Sequence, residues 1–330
     1  MAVTIKDVAR EAGVSVATVS RAMNGHGSVA PAVRERVLAV ARALDYAPHP
    51  AARALGGRRT HTIGVVLPDL HGEFFSELIR GMGQVARAHR LHLLVSSDHG
   101  DAEGQGAALQ AMRGRVDGVL VMASTDASAR ELPAQLPRAL PAVLLNTPGP
   151  PGLPVIGVDN RAGARAMTRH LVESGRRRIA FIAGPRDNPE ARERLRGHCE
   201  ALEVLLPGTP PRIVPGGFDE ASGRQAAQRL LDSGDLPDAI FAGNDVMAIA
   251  CLHALAGRGV DVPGDVAVAG FDDIPLARHV HPALTTMKVD IAGLGARAME
   301  TLIGPADGEG AAAARPIVPE LVIRGSSRRD

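Results

Sequence analysis

The residues of this sequence best placed to do chemistry fall into two sets, and neither pairs a nucleophile with a base. The first lies in residues 4–25, "TIKDVAREAGVSVATVSRAMNG". Ile5, Val8, Ala9 and Ala12, then Val16, Val19 and Met23, recur at helical spacing on either side of Gly13. Packing those sides together leaves Ala17, Thr18, Ser20, Arg21 and Asn24 facing outward. Small groups, hydroxyls, an amide and a guanidinium suit a groove lined with base edges and phosphates. Arg21 is equally suited to reading a guanine and to holding a phosphate. The second set is Asp69, Asn146, Asp159, Asn244 and Asp272, each of which follows a short apolar run. Carboxylates and amides beyond the carboxyl ends of parallel strands stand where open α/β sheets bind ligands. Asp159 serves equally well as a helix N-cap, as does Asp245.

These side chains need elements to hold them. Thr4 with Asp7 makes a capping-box start for the first helix, Ser15 can cap the second, and Gly13 supplies the turn. "VAPAVRERVLAVARALDY" then puts Val33, Val37, Val40, Ala41 and Leu44 on one stripe, a third helix that closes a miniature core. "APHPAARALGGRRTH" has the composition of a linker, with Pro50 opening a short helix and Gly56-Gly57 ending it. From Thr62 onward come "TIGVVLP", "LHLLVSS", "DGVLVMAS", "AVLLN", "VIGVDN", "RIAFIAG", "DAIFAGND" and "DVAVAGFDD". Short runs dense in Val, Ile and Leu, separated by helix-length segments, predict fully buried parallel strands in two doubly wound α/β halves. The second half begins near Asn160. "LTTMKVDIAGLGARAMETLI" and "PELVIRG" are expected to return to the first half.

Charge divides the chain in the same place. Residues 1–60 carry nine Lys/Arg against four Asp/Glu, net +5, while the other 28 basic and 32 acidic residues leave −4. A basic head on a mildly acidic body points to a polyanionic partner for the head alone. "MAVTIKDVAR" lacks the apolar core of a signal peptide, no stretch approaches membrane-spanning length, and Cys199 and Cys251 fit buried thiols in a reducing compartment. The expected location is the cytoplasm, with no membrane partner. "GLGARA" at Gly293 to Ala298 matches a dinucleotide-binding pattern, but within a late helix it fits close helix packing better. With no nucleophile elbow, zinc-helix motif or paired-cysteine spacing, neither an enzyme nor a cofactor or metal is expected. A secreted sugar-binding protein would share the two-lobed body but not the basic head.

The chain resembles the lactose/galactose repressor family of bacterial transcription regulators. The resemblance is carried by "TIKDVAREAGVSVATVSRAMNG", "VRERVLAVARALDYAPHPAARAL", "TIGVVLPDLHGEFFSELIRG", "GRRRIAFIAGP", "ARERLRGHCEAL", "FAGNDVMAIACLHAL", "VAVAGFDDIPLARHVHPALTT" and "LVIRGSS", in that order along nearly the whole sequence. It implies a helix-turn-helix DNA-binding head over 1–46, a hinge over 47–61 and a periplasmic-binding-protein-like body over 62–330. The body's first lobe is expected at about 62–159 plus 289–325, its second at about 160–288. It also implies a homodimer on a palindromic operator, with the second helix of each head in a major groove. No apolar heptad near the last residues suggests a tetramer. In the hinge, the leucine that such proteins wedge into the minor groove matches Leu55, whose alternative is a buried anchor between head and body; Arg53 joins it as a DNA contact, as do Thr4 and Ile5 in the head. Base-reading positions of the family fall on Val16 and Ala17, which can touch thymine methyls but form no hydrogen bonds. Ala30-Pro31 replaces the hydroxyl cap common before the third helix.

For the body, the resemblance matches Arg194 to an arginine that grips ligand hydroxyls or carboxylates, and Asp272 to an acceptor for ligand hydroxyls. An arginine among acids and amides suits vicinal diols, because each sugar hydroxyl both donates and accepts. The implied effector is a small carbohydrate. Phe218 follows "RIVPGG", where the family stacks an aromatic on its ligand, and Phe74 and Phe75 follow the first strand. In a chain with six Phe, one Tyr and no Trp, three at cleft-facing positions point to pocket walls, although each taken singly fits a core position equally well. Arg194 also adjoins Arg192 and Glu193, as a surface ion pair on a charged helix would.

Overall fold

A computed structural model describes residues 3–23, 28–46, 59–98, 100–137, 140–304 and 315–328, and the chain divides into two units, Met1–Thr60 and His61–Asp330. Asn24 falls in 24–27, and the expected hinge helix, with Arg53 and Leu55, falls in 47–58; both stretches lie outside the described residues.

In the first unit, α1 (Ile5–Glu11), α2 (Val16–Met23) and α3 (Pro31–Ala43) enclose Val8, Ala9, Ala12, Val19, Ala22, Val29, Val37 and Ala41. The Thr4 N–H and hydroxyl both donate to the Asp7 carboxylate, at 3.0 and 2.7 Å. Ser15 caps α2, its hydroxyl accepting from the Thr18 N–H at 3.1 Å. Gly13, with φ +65°, makes the turn between them. Ala30 gives α3 no side-chain cap, and Pro31 occupies its first turn. Val16 departs from the apolar pattern: at the first position of α2 it is 41% exposed, and Val19 and Ala22 form the buried side.

All eight apolar runs form strands in the second unit. One sheet holds β1 (Thr62–Leu67), β2 (His92–Ser97), β3 (Gly118–Val121), β4 (Ala142–Leu145) and β5 (Val155–Ile156), in the order β2-β1-β3-β4-β5. The other holds β6 (Ile179–Ile182), β7 (Arg212–Val214), β8 (Ala239–Ala242) and β9 (Ala267–Ala269), in the order β7-β6-β8-β9. Every pairing in both sheets is parallel. Strand β7 is the one the run pattern misses, because it opens on Arg212 and is followed by Pro215, leaving only Ile213 and Val214 as an apolar pair.

Side-chain alternation assigns the helices to faces. Ile63, Val65 and Leu67 of β1 share a core with Leu78 and Met82 of α4 (Glu73–Ala88) and Leu294 of α11 (Ile291–Ile303). Val66 points the other way, to Leu109 and Met112 of α5 (Ala102–Met112) and Leu132 of α6 (Asp126–Gln135). The second sheet is flanked by α7 (Asn160–Glu173) with α8 (Pro189–Leu205), and by α9 (Glu220–Asp232) with α10 (Asp245–Ala256). The α8 side is anchored by His198, stacked on Phe181 at 4.8 Å with its Nδ1 bonded to the Thr168 hydroxyl at 2.8 Å.

"GLGARA" is a packing motif here. A Cβ on Gly295 of α11 would collide with the Leu78 carbonyl of α4, and one on Gly81 of α4 with the Ala292 carbonyl of α11. The final strand differs from its expected placement. β11 (Glu320–Val322) pairs antiparallel with β10 (Thr286–Lys288), and Ser326 bonds Thr285 and Val268 beside the second sheet. Alternation in "ELVIRG" specifies a strand but not its neighbour, which is chosen by contacts far away in sequence.

Candidate functional site

The carboxyl ends of β8 and β9 converge on one buried guanidinium. Asn188 caps α8 through the Ala191 N–H at 2.9 Å, Pro189 occupies its first turn, and Arg194 follows on the second. Gly197 lets α8 lie against α7, since a Cβ there would strike the Arg161 carbonyl. Arg194 is 4% exposed. Its Nε donates to Asn160 Oδ1 at 2.7 Å and its Nη1 to the Gly243 carbonyl at 2.6 Å. Its Nη2 stands 3.0 Å from Asp272 Oδ1 and 3.9 Å from Glu190 Oε1. The guanidinium carbon lies 3.9 Å from the centre of the Phe271 ring and 5.5 Å from that of Phe218. So many partners fix the fork in one orientation, and the surface ion-pair alternative for Arg194 is excluded by its burial.

Burial sets the charge state of the neighbours. It pushes the Glu190 carboxyl up to about 7, with Arg194 opposing the rise and Asp272 adding to it. Asp272 is raised to about 6 by burial, again against the pull of Arg194. Asp245 is held well above the usual carboxylate range by burial and by Asp272. Two carboxyl groups beside one guanidinium in a desolvated site compete for its charge. The backbone is also unusual here: Asn146, Phe218 and Asp272 have φ of 47°, 68° and 113°. Asp272 is kept there by its N–H donating to the Met287 carbonyl at 2.8 Å. Side chains held in such conformations concentrate at functional sites.

Of the residues singled out in the sequence, Arg194, Asp272, Phe218 and Asn244 come together in this cluster. Asn244 caps α10 through the Met247 N–H at 3.0 Å, and its Nδ2 donates to the Phe218 carbonyl at 3.0 Å. The Phe218 ring lies over Gly184 and Gly243, where a Cβ would meet it. Asn146 joins from the first sheet, its Nδ2 donating to Glu190 Oε1 at 2.7 Å. Asp159 caps α7 through the Ala162 N–H at 2.9 Å, next to Asn160 of the cluster. Asp245 is not a cap: its carboxylate accepts from the Thr286 hydroxyl at 2.6 Å and the Ile274 N–H at 3.0 Å. Asp69 stands apart, exposed, accepting from the N–H groups of Leu70 and His71 at 2.6 and 3.0 Å. Phe74 and Phe75 meet edge to face at 5.3 Å and lie half-buried against the core.

Sequence reasoning passed over Glu190, Asn160 and Phe271. Glu190 had a signal: it precedes Arg194 by four residues on one helix, the spacing at which opposite charges meet. Phe271 had none beyond its place before Asp272. A groove of about 450 Å³ lined by His170, Ser174, Ile323, Ser327 and Arg328 shares no residue with the cluster.

Residues 187–192 carry a concentration of polar contacts between the two sheets' halves. Asn188 Nδ2 donates to the Ser124 carbonyl at 3.2 Å, and the Asp126 N–H to the Asp187 carbonyl at 3.0 Å. Arg192 grips Asp126 with both arms of its guanidinium. On another side, Glu73 Oε2 accepts from the Leu276 N–H at 2.8 Å.

On the head, Val16, Ala17, Ser20 and Arg21 are exposed along α2, and Thr18 is half-buried, its hydroxyl 2.9 Å from that of Ser15. Thr4 is exposed and Ile5 half-buried at the start of α1.

A three-helix head with an exposed polar second helix, followed by a body of two parallel sheets enclosing a polar cluster, defines a DNA-binding regulator with a ligand-binding body. Comparison with known proteins finds relatives for the head and for part of the body. Residues 4–49 match the bacterial regulatory proteins of the lacI family, and 168–327 a periplasmic binding protein-like domain. The HTH-type transcriptional repressor CytR of Escherichia coli (strain K12) is 36% identical over 335 residues, covering 99% of this chain and 97% of that protein. The lac repressor dimer, solved bound to operator and the anti-inducer ONPF, superposes with a TM-score of 0.85 at 29% identity, covering 99% of each chain. The transcriptional regulator CelR in complex with cellobiose gives 0.69 at 32% identity, over 98% of this chain and 100% of that one. The chain belongs to the lacI family of bacterial transcription regulators. Among the described residues, no helix is long and apolar enough to cross a membrane.

Proposed function

We propose that this protein is a repressor that binds a palindromic operator as a homodimer, with its operator affinity set by a small carbohydrate held at the Arg194 cluster. Residues 1–46 form the DNA-binding head, 47–61 the hinge and 62–330 the effector-binding and dimerisation body. Val16, Ala17, Thr18, Ser20 and Arg21 face the DNA with Thr4, Ile5 and Asn24, while Arg53 and Leu55 contact it from the hinge. Arg194, Asp272, Asn244, Asn146 and Phe218 hold the effector, with Asp159 beside them and Asp69, Phe74 and Phe75 approaching it from the first-sheet side.

The observation that carries this reading is the oriented guanidinium. Arg194 has five N–H groups, of which Asn160 and Gly243 accept from two, while Asp272 pairs with its Nη2 at 3.0 Å. A fixed donor beside carboxyl acceptors and the Phe218 ring suits hydroxyls that both donate and accept. The operator in the lac repressor structure and the cellobiose in the CelR complex support it. Thermal unfolding with mono- and disaccharides, nucleosides and purines tests it. A ligand at 100 times its Kd adds about 2.7 kcal/mol of stability, and the expected hit is a saccharide whose effect vanishes in Arg194→Ala. A nucleoside or purine hit without a saccharide hit contradicts the proposal.

A further inference from the structure

Glu190 has no part in the assignments above, yet it touches both halves of the body. Its carboxylate accepts from Asn146 Nδ2 at 2.7 Å, and Asn146 stands at the end of β4 in the first sheet. The Asn146 side chain is itself held, because its Oδ1 accepts from the Val158 N–H at 3.0 Å on the segment that leads into α7. On its other side Glu190 lies 3.9 Å from the guanidinium of Arg194, which carries Asp272 at 3.0 Å. The residue is 8% exposed, so it cannot turn to solvent in this geometry. It also belongs to the stretch 187–192, whose Asn188 and Arg192 hold Ser124 and Asp126 of the first-sheet half.

We infer that Glu190 is the positioning residue through which the Arg194 cluster controls the angle between the two sheets. Anything that changes the hold of Arg194 on its two carboxylates changes the position of Glu190, and Asn146 passes that change to β4. This rests on the reading of the cluster as the effector site only for its biological use; the mechanical link stands on the contacts themselves. Protonation follows the same link. The charged groups around Glu190 are Arg194 on its own helix and Asp272 after β9, with Asp245 beyond Asp272 and the rim pair Arg192–Asp126 across the cleft. Asn160 of α7 and Asn146 of β4 face it as neutral amides. Burial raises the carboxyl to about 7 in this geometry, so the proton binds more tightly here than in any form that exposes Glu190 to water. By linkage, protonation favours the bridged form, and the bridge loosens as pH rises through neutrality.

Amide hydrogen exchange on the full-length chain tests this without any effector. Asp272→Asn is the perturbation, and exchange at 124–126 and 142–158, corrected for intrinsic rates, is the readout. In the parent background, Asp272→Asn is expected to change exchange there at least threefold, and in the Glu190→Ala background not at all. Raising the pH from 6 to 8 is expected to speed exchange at these segments in the parent. Glu190→Gln, which keeps an acceptor for Asn146 without the titrating group, is expected to lose most of that step, leaving only the part due to Asp272, which sits at about 6. Should Glu190→Ala fail to fold, Asn146→Ala breaks the same bridge from the first-sheet side. Undiminished transmission in either background, or a pH step of the parent's full size in Glu190→Gln, overturns the inference. A saccharide screen without a hit leaves these results standing and counts against the carbohydrate reading alone.

Discussion

The side chains with the largest consequences are three buried acids, Glu190 and Asp272 beside Arg194 and Asp245 behind Asp272. Their titration has a defined sign. Glu190 and Asp272 sit at about 7 and 6 in the folded chain, against ordinary values of 4.5 and 3.8. Between each ordinary value and its raised one the folded state binds more protons than the unfolded, so stability from these groups falls as pH rises from about 4 to 7. Glu190→Gln is expected to flatten that fall, read from chemical denaturation at several pH values between 5 and 8. A profile parallel to the parent's would contradict the assignment. Asp245 makes a different prediction. Both its carboxylate oxygens accept hydrogen bonds, from Thr286 and Ile274, and an amide would turn one donor against another. Asp245→Asn should cost about 1–3 kcal/mol, and a neutral outcome would mean the carboxyl is protonated and the site rearranged.

At the level of helices and strands, two glycines on α4 separate packing from propensity. Gly81 lies against the Ala292 carbonyl, whereas a Cβ at Gly83 meets nothing within 4 Å. Gly81→Ala should destabilise the chain by about 1–3 kcal/mol through overpacking. Gly83→Ala, two residues away, should stabilise it by up to ~1 kcal/mol through helix propensity. Melting curves that move the same way for both variants would exclude the close α4–α11 contact. That contrast also marks what was legible in advance. The alternation of short Val/Ile/Leu runs with amphipathic segments reports directly on burial, so strands β1 to β6, β8 and β9 could be read from it. Arg212 hid β7, and the partner of "ELVIRG" depended on residues about 35 positions earlier. The site was legible where a strand end or a family motif exposed it, as at Asn146, Asn244, Asp272, Arg194 and Phe218. Asp69 follows a strand equally well, but its carboxylate folds back on its own turn. Glu190 and Asn160 were not read because burial, which makes them matter, is a property of two helices packed together.

In the whole molecule, the head and the body must share one equilibrium if a ligand in the body is to be felt by DNA. The chain passes from the head through residues 47–61 to β1, an inner strand of the first sheet, while Arg194 and Asp272 belong to the second-sheet half. A ligand shifts such an equilibrium only by its different affinity for the two states, typically 1–3 kcal/mol of coupling. The Arg194 cluster and its Glu190–Asn146 bridge are therefore where coupling should be lost when the second-sheet half is altered. The most direct test is fluorescence anisotropy of a labelled duplex, enriched from random DNA by the parent chain, titrated with the saccharide that stabilises that chain. The expected result is a change in operator affinity of about 5- to 150-fold for the parent. Arg194→Ala should bind the same duplex within a few-fold of the parent and show no response. A variant that responds at the parent's saccharide concentration, or a folded variant that no longer binds the duplex, would contradict the account.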